Sequence, residues 1–193
     1  MAIGGGYLTY FWFLIPLAAL LALMMWSILT YNHFARLRNL TEESWSDVDV
    51  ALKRRHDLVP NLVEAVRGYA AHERDLLDRV LAARNAIVGQ SDVQSLGIGE
   101  SKLSGVIATL LARAEAYPDL KASEQFLELQ EELANTEDRI AAARRLYNGN
   151  VRDYRIVLES FPSSLLAGKS IRPSYFEMDH ADRLTRVVST PSR

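Results

Sequence analysis

The sequence predicts an all-α protein, an N-terminal transmembrane helix followed by a long up-and-down antiparallel four-helix bundle. Three observations predict it. A 24-residue apolar run, YLTYFWFLIPLAALLALMMWSILT, occupies residues 7–30. Beyond it, apolar residues recur at alternating three- and four-residue spacing through four segments, and no segment shows the period of two that a half-buried strand requires. The composition is rich in Ala, Leu, Glu and Arg, with 10 glycines and 6 prolines in 193 residues, which favours helix.

The apolar run comes first. As a helix it spans about 36 Å, enough for a hydrocarbon core of about 30 Å. No Lys, Arg, Asp or Glu occurs before Arg36. The run has no basic residue in front of it, is too long for a signal peptide and is followed by no small-x-small cleavage site, so a retained anchor is expected. Tyr7, Tyr10, Trp12, Trp26 and Tyr31 fall near its two ends, as an aromatic belt would. Arg36, Arg38, Lys53, Arg54 and Arg55 follow it. The positive-inside rule then places residues 31–162 in the cytoplasm and the short N-terminus outside, in a single-pass arrangement.

Four helical segments follow. The first carries Phe34, Leu37, Thr41, Trp45, Val48, Leu52, Arg55, Val59, Leu62, Val66 and Tyr69. The second runs from after "HER" (72–74) to Gly89, and "SDVQSLGIGES" after it is turn-rich. The third carries Leu103, Val106, Leu110, Ala114 and Tyr117 and ends at Pro118. The fourth starts near Ser123 and runs to Phe161, where Pro162 stops it. Pro60 interrupts the first segment, in "KRRHDLVPNLVE". A break there would send the fourth helix, about 57 Å long, back into the bilayer with Arg144, Arg145 and Asp153. A helix continuing to about Ala71 runs out about 60 Å, and the later segments then return the chain to the membrane surface. The apolar stripe keeps its phase through Pro60, so a kink within one helix is expected. Residues 163–193 form a partly disordered tail.

This register gives two pairings. Gly149 falls level with Trp45, where a missing side chain would admit the indole; otherwise Gly149 is a weak point in the helix. Arg55 lies on the apolar stripe at the height of Glu137, a carboxylate partner for a buried guanidinium, unless its stem snorkels outward.

Chemistry is excluded class by class. A net charge of −2 gives no global field for nucleic acid. The absence of cysteine removes disulfides, thiolate metal sites and catalytic thiols. His33, His56, His72 and His180 pair neither with one another at helical spacing nor within HExxH, and Glu-x-x-His occurs once, at Glu177–His180, where a di-iron bundle needs it twice, so no metal or other cofactor is expected. No G-x-S-x-G or phosphate-cradling loop occurs. What remains is the polar strip 53–73, in which Asp57, Asn61 and Glu64 share a face able to satisfy backbone freed at the kink or to meet a partner. The strip reads as a joint, not a catalytic site.

The stretch YNHFARLRNLTEESWSDVDVALKRRHDLVPNLVEAVRGYAAHE closely resembles the LemA family of bacterial membrane proteins. The similarity continues through YPDLKASEQFLELQEELANTEDRIAAARRLYNGNVRDYRIVLESFP, covering roughly Tyr31 to Ala167. Matching positions include Trp45, Asp49, Arg54, Asp57, Pro60, Asn61, Leu62, Glu64, Gly68, Tyr69, Asn135, Arg144, Tyr147, Asn148, Tyr154, Phe161 and Pro162. The resemblance implies one N-terminal membrane helix and a cytoplasmic helical bundle, and it supplies no enzymatic activity. Relatives are linked to bacterial envelope processes, including formation of intracellular membrane organelles in magnetic bacteria. The tail departs from the pattern: in place of a Gly- and Phe-rich stretch it keeps Ala167–Gly168 and a "YFE".

The expectation is a non-enzymatic scaffold that contacts lipid through residues 7–30 and forms a homo-oligomer with coiled-coil-like packing. Leu165 and Leu166 would return to the membrane interface or cap the helix end. The alternative is a monomeric adaptor that binds a membrane protease or sensor protein through strip 53–73.

Overall fold

The structure, a computed structural model, describes residues 6–70, 72–167 and 172–178. Among the described residues six helices occur: α1 (Gly6–Arg67), α2 (Arg74–Ile87), α3 (Val93–Ala114), α4 (Pro118–Lys121), α5 (Glu124–Glu159) and α6 (Ser164–Ala167). No strand occurs among the described residues. α1 has 62 residues and contains both Pro16 and Pro60, so anchor and first bundle helix are one uninterrupted element about 93 Å long. It ends at Arg67, four residues short of the expected Ala71, at a Gly68–Tyr69 turn.

α5 is the principal partner of α1, and the two run antiparallel. Phe34 meets Tyr154, Trp45 meets Tyr147 and Arg55 meets Glu137, so position rises on one helix as it falls on the other. α2 and α3 form a second antiparallel pair, with Tyr117 at Glu73 and Ile87 against Gly99. α2 also folds back along the distal part of α1, where Arg84 reaches His56. The core gathers one stripe from each long helix, including Val48, Val59 and Leu62 from α1, Val80 from α2, Leu103 and Leu110 from α3, and Ile140 and Val151 from α5. A separate cluster of Phe34, Tyr154 and Leu158 closes the membrane-proximal end. Most of the apolar run stands free of the rest of the described chain: Trp12 to Met25 are exposed throughout, as a lipid-facing helix requires. The side chains of Tyr7 and Tyr10, assigned to the outer aromatic belt, lie outside the described residues.

Two features depart from expectation. The stretch "SDVQSLGIGES" is not a turn: α3 begins at Val93, with Asp92 as N-cap accepting from Ser95 N at 2.8 Å. Its glycines serve close approach, since a Cβ at Gly97 would lie 2.2 Å from Glu177 O and one at Gly99 2.1 Å from Ile87 Cγ2. Two glycines needed for packing therefore resembled a loop. The second departure is the tail. The bundle does not close at Pro162, because Arg172–Met178 docks on it and Phe176 is fully buried against Trp45. Residues 168–171 and 179–193, assigned to the partly disordered tail, lie outside the described residues.

Candidate functional site at the proline joint

The joint starts from a missing donor. Pro60 has no N–H, so the carbonyl four residues earlier, that of His56, loses its helical hydrogen bond. Arg84 of α2 supplies the replacement, its Nε donating to His56 O at 3.2 Å. Of the two roles open to Asp57, Asn61 and Glu64, satisfying the freed backbone or meeting a partner, the first falls to Arg84: all three face solvent. Glu64 pairs instead with Arg67 at 2.7 Å.

Beside this carbonyl lies a charged cluster drawn from three helices. Arg55 is wholly buried. Its Nη2 donates to Glu100 O at 3.1 Å and Ser104 Oγ at 2.5 Å. Its Nη1 sits 3.0 Å from Glu137 Oε1 and 3.6 Å from Glu100 Oε2. Glu100, also wholly buried, meets His56 Nε2 through Oε1 at 2.5 Å. Arg55 Nε and Nη1 and Glu100 Oε2 make no directed hydrogen bond, so much of the attraction is coulombic. A cluster buried this way is a poor source of net stability, since desolvation of both ions offsets their attraction. It is a strong determinant of register: sliding α3 or α5 by one turn would strand a buried charge. Burial also raises the Glu137 carboxyl above its ordinary range, outweighing the opposing pull of Arg55.

Arg55 and Glu100 are fully covered and His56 is only 13% exposed, while the Glu137 side chain, 44% exposed, forms the edge of the cluster. No group of three or more metal-ligating side chains occurs among the described residues. The arrangement ties α1, α3 and α5 together.

Other singled-out residues fall elsewhere. Trp45 is half-buried between Tyr147, at 5.1 Å between ring centroids, and Phe176, at 5.6 Å. Gly149 does not admit the indole: a Cβ there would meet nothing within 4 Å, because it points away from Trp45. Arg54 pairs with Glu132 across to α5. Asp49, Gly68 and Tyr69 are exposed. Leu165 is exposed, and Leu166 forms a shallow apolar recess with Ser27, Ile28 and Tyr31 at the foot of the bundle.

Sequence reasoning missed Glu100, Ser104, His56 and Arg84. A signal for Glu100 existed: Leu96, Glu100, Leu103, Ile107, Leu110 and Ala114 are all buried and recur at four-three spacing, so a carboxylate occupies the apolar stripe of α3 as Arg55 does that of α1. A second polar device lies nearer the membrane, where Asn150 Nδ2 donates to Leu40 O at 3.1 Å and Ser44 Oγ at 3.0 Å.

The family model described as the LemA family matches residues 44–189. The chain belongs to the LemA family. The matched region takes in the tail that was expected to stand apart, consistent with Phe176 in the core. The chain is 23% identical to the magnetosome protein MamQ of Magnetospirillum gryphiswaldense, over 79% of its own length. It is 27% identical to Protein LemA of Metamycoplasma hominis over 72% of its length, and 24% identical to MamQ 2 of Paramagnetospirillum magneticum over 79%. The match spans 66%, 64% and 66% of those relatives' own lengths. None of these names denotes an enzyme. With one exposed apolar helix near its N-terminus, this LemA-family chain is a membrane-anchored helical protein.

Proposed function

We propose that this protein is a non-enzymatic scaffold that self-assembles at the bacterial inner membrane, its helices closing as an up-and-down four-helix bundle on the cytoplasmic side. The observation that carries the proposal is the uncovered face of α1. Val50, Lys53, Asp57, Asn61, Glu64 and Gly68 are all exposed, and their spacing sets them on one side of the helix over about 27 Å, with Arg54 at the edge of this face reaching Glu132 of α5. α2 and α5 cover the opposite side. Because α1 passes into the anchor without interruption, this strip stands upright at a fixed height, so copies in one bilayer present it at the same level. Membrane confinement raises their effective concentration without any new contact. The magnetosome proteins among the relatives support a role in membrane organisation.

The full-length protein in mild detergent, measured beside a fragment starting at Tyr31, tests this by mass. A uniform assembly that dissociates when Asn61 and Glu64 are replaced by Ala is expected. A monomer at both lengths would refute self-assembly and favour the adaptor.

A further inference from the structure

A cleft of about 1230 Å³ opens between the second half of α5, the first turns of α3 and the docked segment Arg172–Met178. Arg144, Arg145, Arg152, Arg155 and Arg172 line it, against Glu177 as the lining carboxylate. Arg152 also meets Asp153 at 3.2 Å on the surface. Among the described residues, neither Arg145 nor Arg172 has a carboxylate within ion-pair distance.

We infer that this cleft is a binding site for a soluble, phosphate-bearing small molecule carrying several negative charges. The basic character is local: the first half of α5, Glu124 to Asp138, carries acids and no Lys or Arg, whereas Arg139 to Val157 carries five arginines and Asp153. The helix dipole does not account for this, since its influence fades within the last turn and Arg144 and Arg145 lie about four turns inside. The membrane does not account for its distal part either: Tyr147, beside Arg144 and Arg145, stands level with Trp45, about 22 Å beyond the end of the apolar run at Thr30, more than two Debye lengths of about 8 Å at physiological salt. Arg155, beside Tyr154 at the level of Phe34, lies nearer the membrane. From Arg144 to Arg155 the cleft extends about 16 Å, room for a chain of phosphates or a nucleotide, and guanidinium forks match phosphate oxygens in pairs.

Two further features prepare the site. The wall is fixed: Asn148 pairs with both backbone groups of Phe176, at 3.0 and 2.9 Å, and Tyr147 donates to Ser174 O at 2.9 Å. Tyr175 in that wall lies under the Arg155 guanidinium, 5.2 Å from ring centroid to Cζ, which holds the fork in place. The floor is Gly149. Mid-helix glycine costs about 1 kcal/mol relative to alanine, and no internal contact requires it here. A side chain at that position would project into the cleft, so the glycine keeps the space open for the ligand.

The test is titration calorimetry of the full chain in phosphatidylcholine nanodiscs, at about 0.15 M salt, with inorganic tripolyphosphate as probe. One saturable site is expected. Arg145→Gln with Arg172→Gln should weaken it at least about tenfold, the loss of one or two charge-assisted hydrogen bonds. Gly149→Leu should weaken it comparably while helicity by circular dichroism stays unchanged. Arg139→Gln, on α5 but outside the cleft, should leave it within about twofold, as a rim charge does. Absence of saturation would overturn the inference, as would an equal loss with Arg139→Gln, which would mean a diffuse field. Loss of tripolyphosphate binding in phosphatidylglycerol nanodiscs would overturn it too, by assigning the cleft to lipid headgroups.

Discussion

Arg84→Met isolates the bond that lets α1 continue through its proline. The substitution keeps an apolar stem of similar reach and removes the donor 3.2 Å from His56 O. A hydrogen bond from a charged donor contributes about 1.5–3 kcal/mol. Arg84 is only half-buried, so about 1–2 kcal/mol is expected. With a urea dependence of about 1–3 kcal/mol per molar, the unfolding midpoint of the full chain in neutral micelles should fall by roughly 0.5–1 M. Repeating the change in a Pro60→Ala background decides the cause. An alanine in place of the proline restores the N–H that His56 O lacks, so Arg84→Met should then cost no more than about 0.5 kcal/mol, the usual size for a surface change. The coupling is thus about 1 kcal/mol, read from far-UV circular dichroism across a double-mutant cycle. Equal costs in both backgrounds would refute the assignment of Arg84 as the substitute for the missing bond.

Arg55→Met and Glu100→Met should each lower stability by about 3–5 kcal/mol, while the double variant falls well short of their sum, because only the singles leave an uncompensated buried charge; additive midpoints would show that the two charges are independent. Gly97→Ala should drive Arg172–Met178 off α3, exposing Phe176 to hydrogen exchange and proteolysis, whereas Gly149→Ala should raise stability by up to about 1 kcal/mol; a protected tail in the first variant would contradict the close approach to Glu177. Asn148→Leu removes both hydrogen bonds to the Phe176 backbone and should expose the same segment while the remainder of the chain stays protected, checked by the same exchange measurement. Because Glu137 binds its proton more readily in the folded state, the stability it contributes is present below the ordinary carboxylate pKa and falls as pH rises through the raised one. Glu137→Gln should flatten that decline just above the ordinary carboxylate range, and an unchanged slope in urea midpoints against pH would reject burial as the dominant influence.

What was legible in the chain was whatever depends on one helix at a time. The anchor follows from an uncharged run long enough for a bilayer, and the stripes of α1 and α5 from three-four spacing that survives Pro60. The ends near Gly89 and Ser123 follow from helix-stop and helix-start chemistry. The Arg55–Glu137 proximity was accessible because it needs only helix rise and antiparallel sense. Gly97 and Gly99 misled for a physical reason: a glycine that admits a neighbouring backbone and one that breaks a helix are the same residue, and only the neighbour distinguishes them.

The sequence by itself therefore determined the class, the anchor and the phase of each helix, since these are local consequences of hydrophobic period and backbone chemistry. The tertiary structure alone decided which groups meet across helices. It brought Arg84 to the carbonyl that Pro60 orphans, set Glu100 beneath Arg55 and His56, and seated Phe176 from 28 residues beyond Asn148. It also gathered five arginines around one cleft. Such meetings depend on the rotation of each helix about its own axis and on how closely two backbones approach, and helical periodicity within one segment constrains neither.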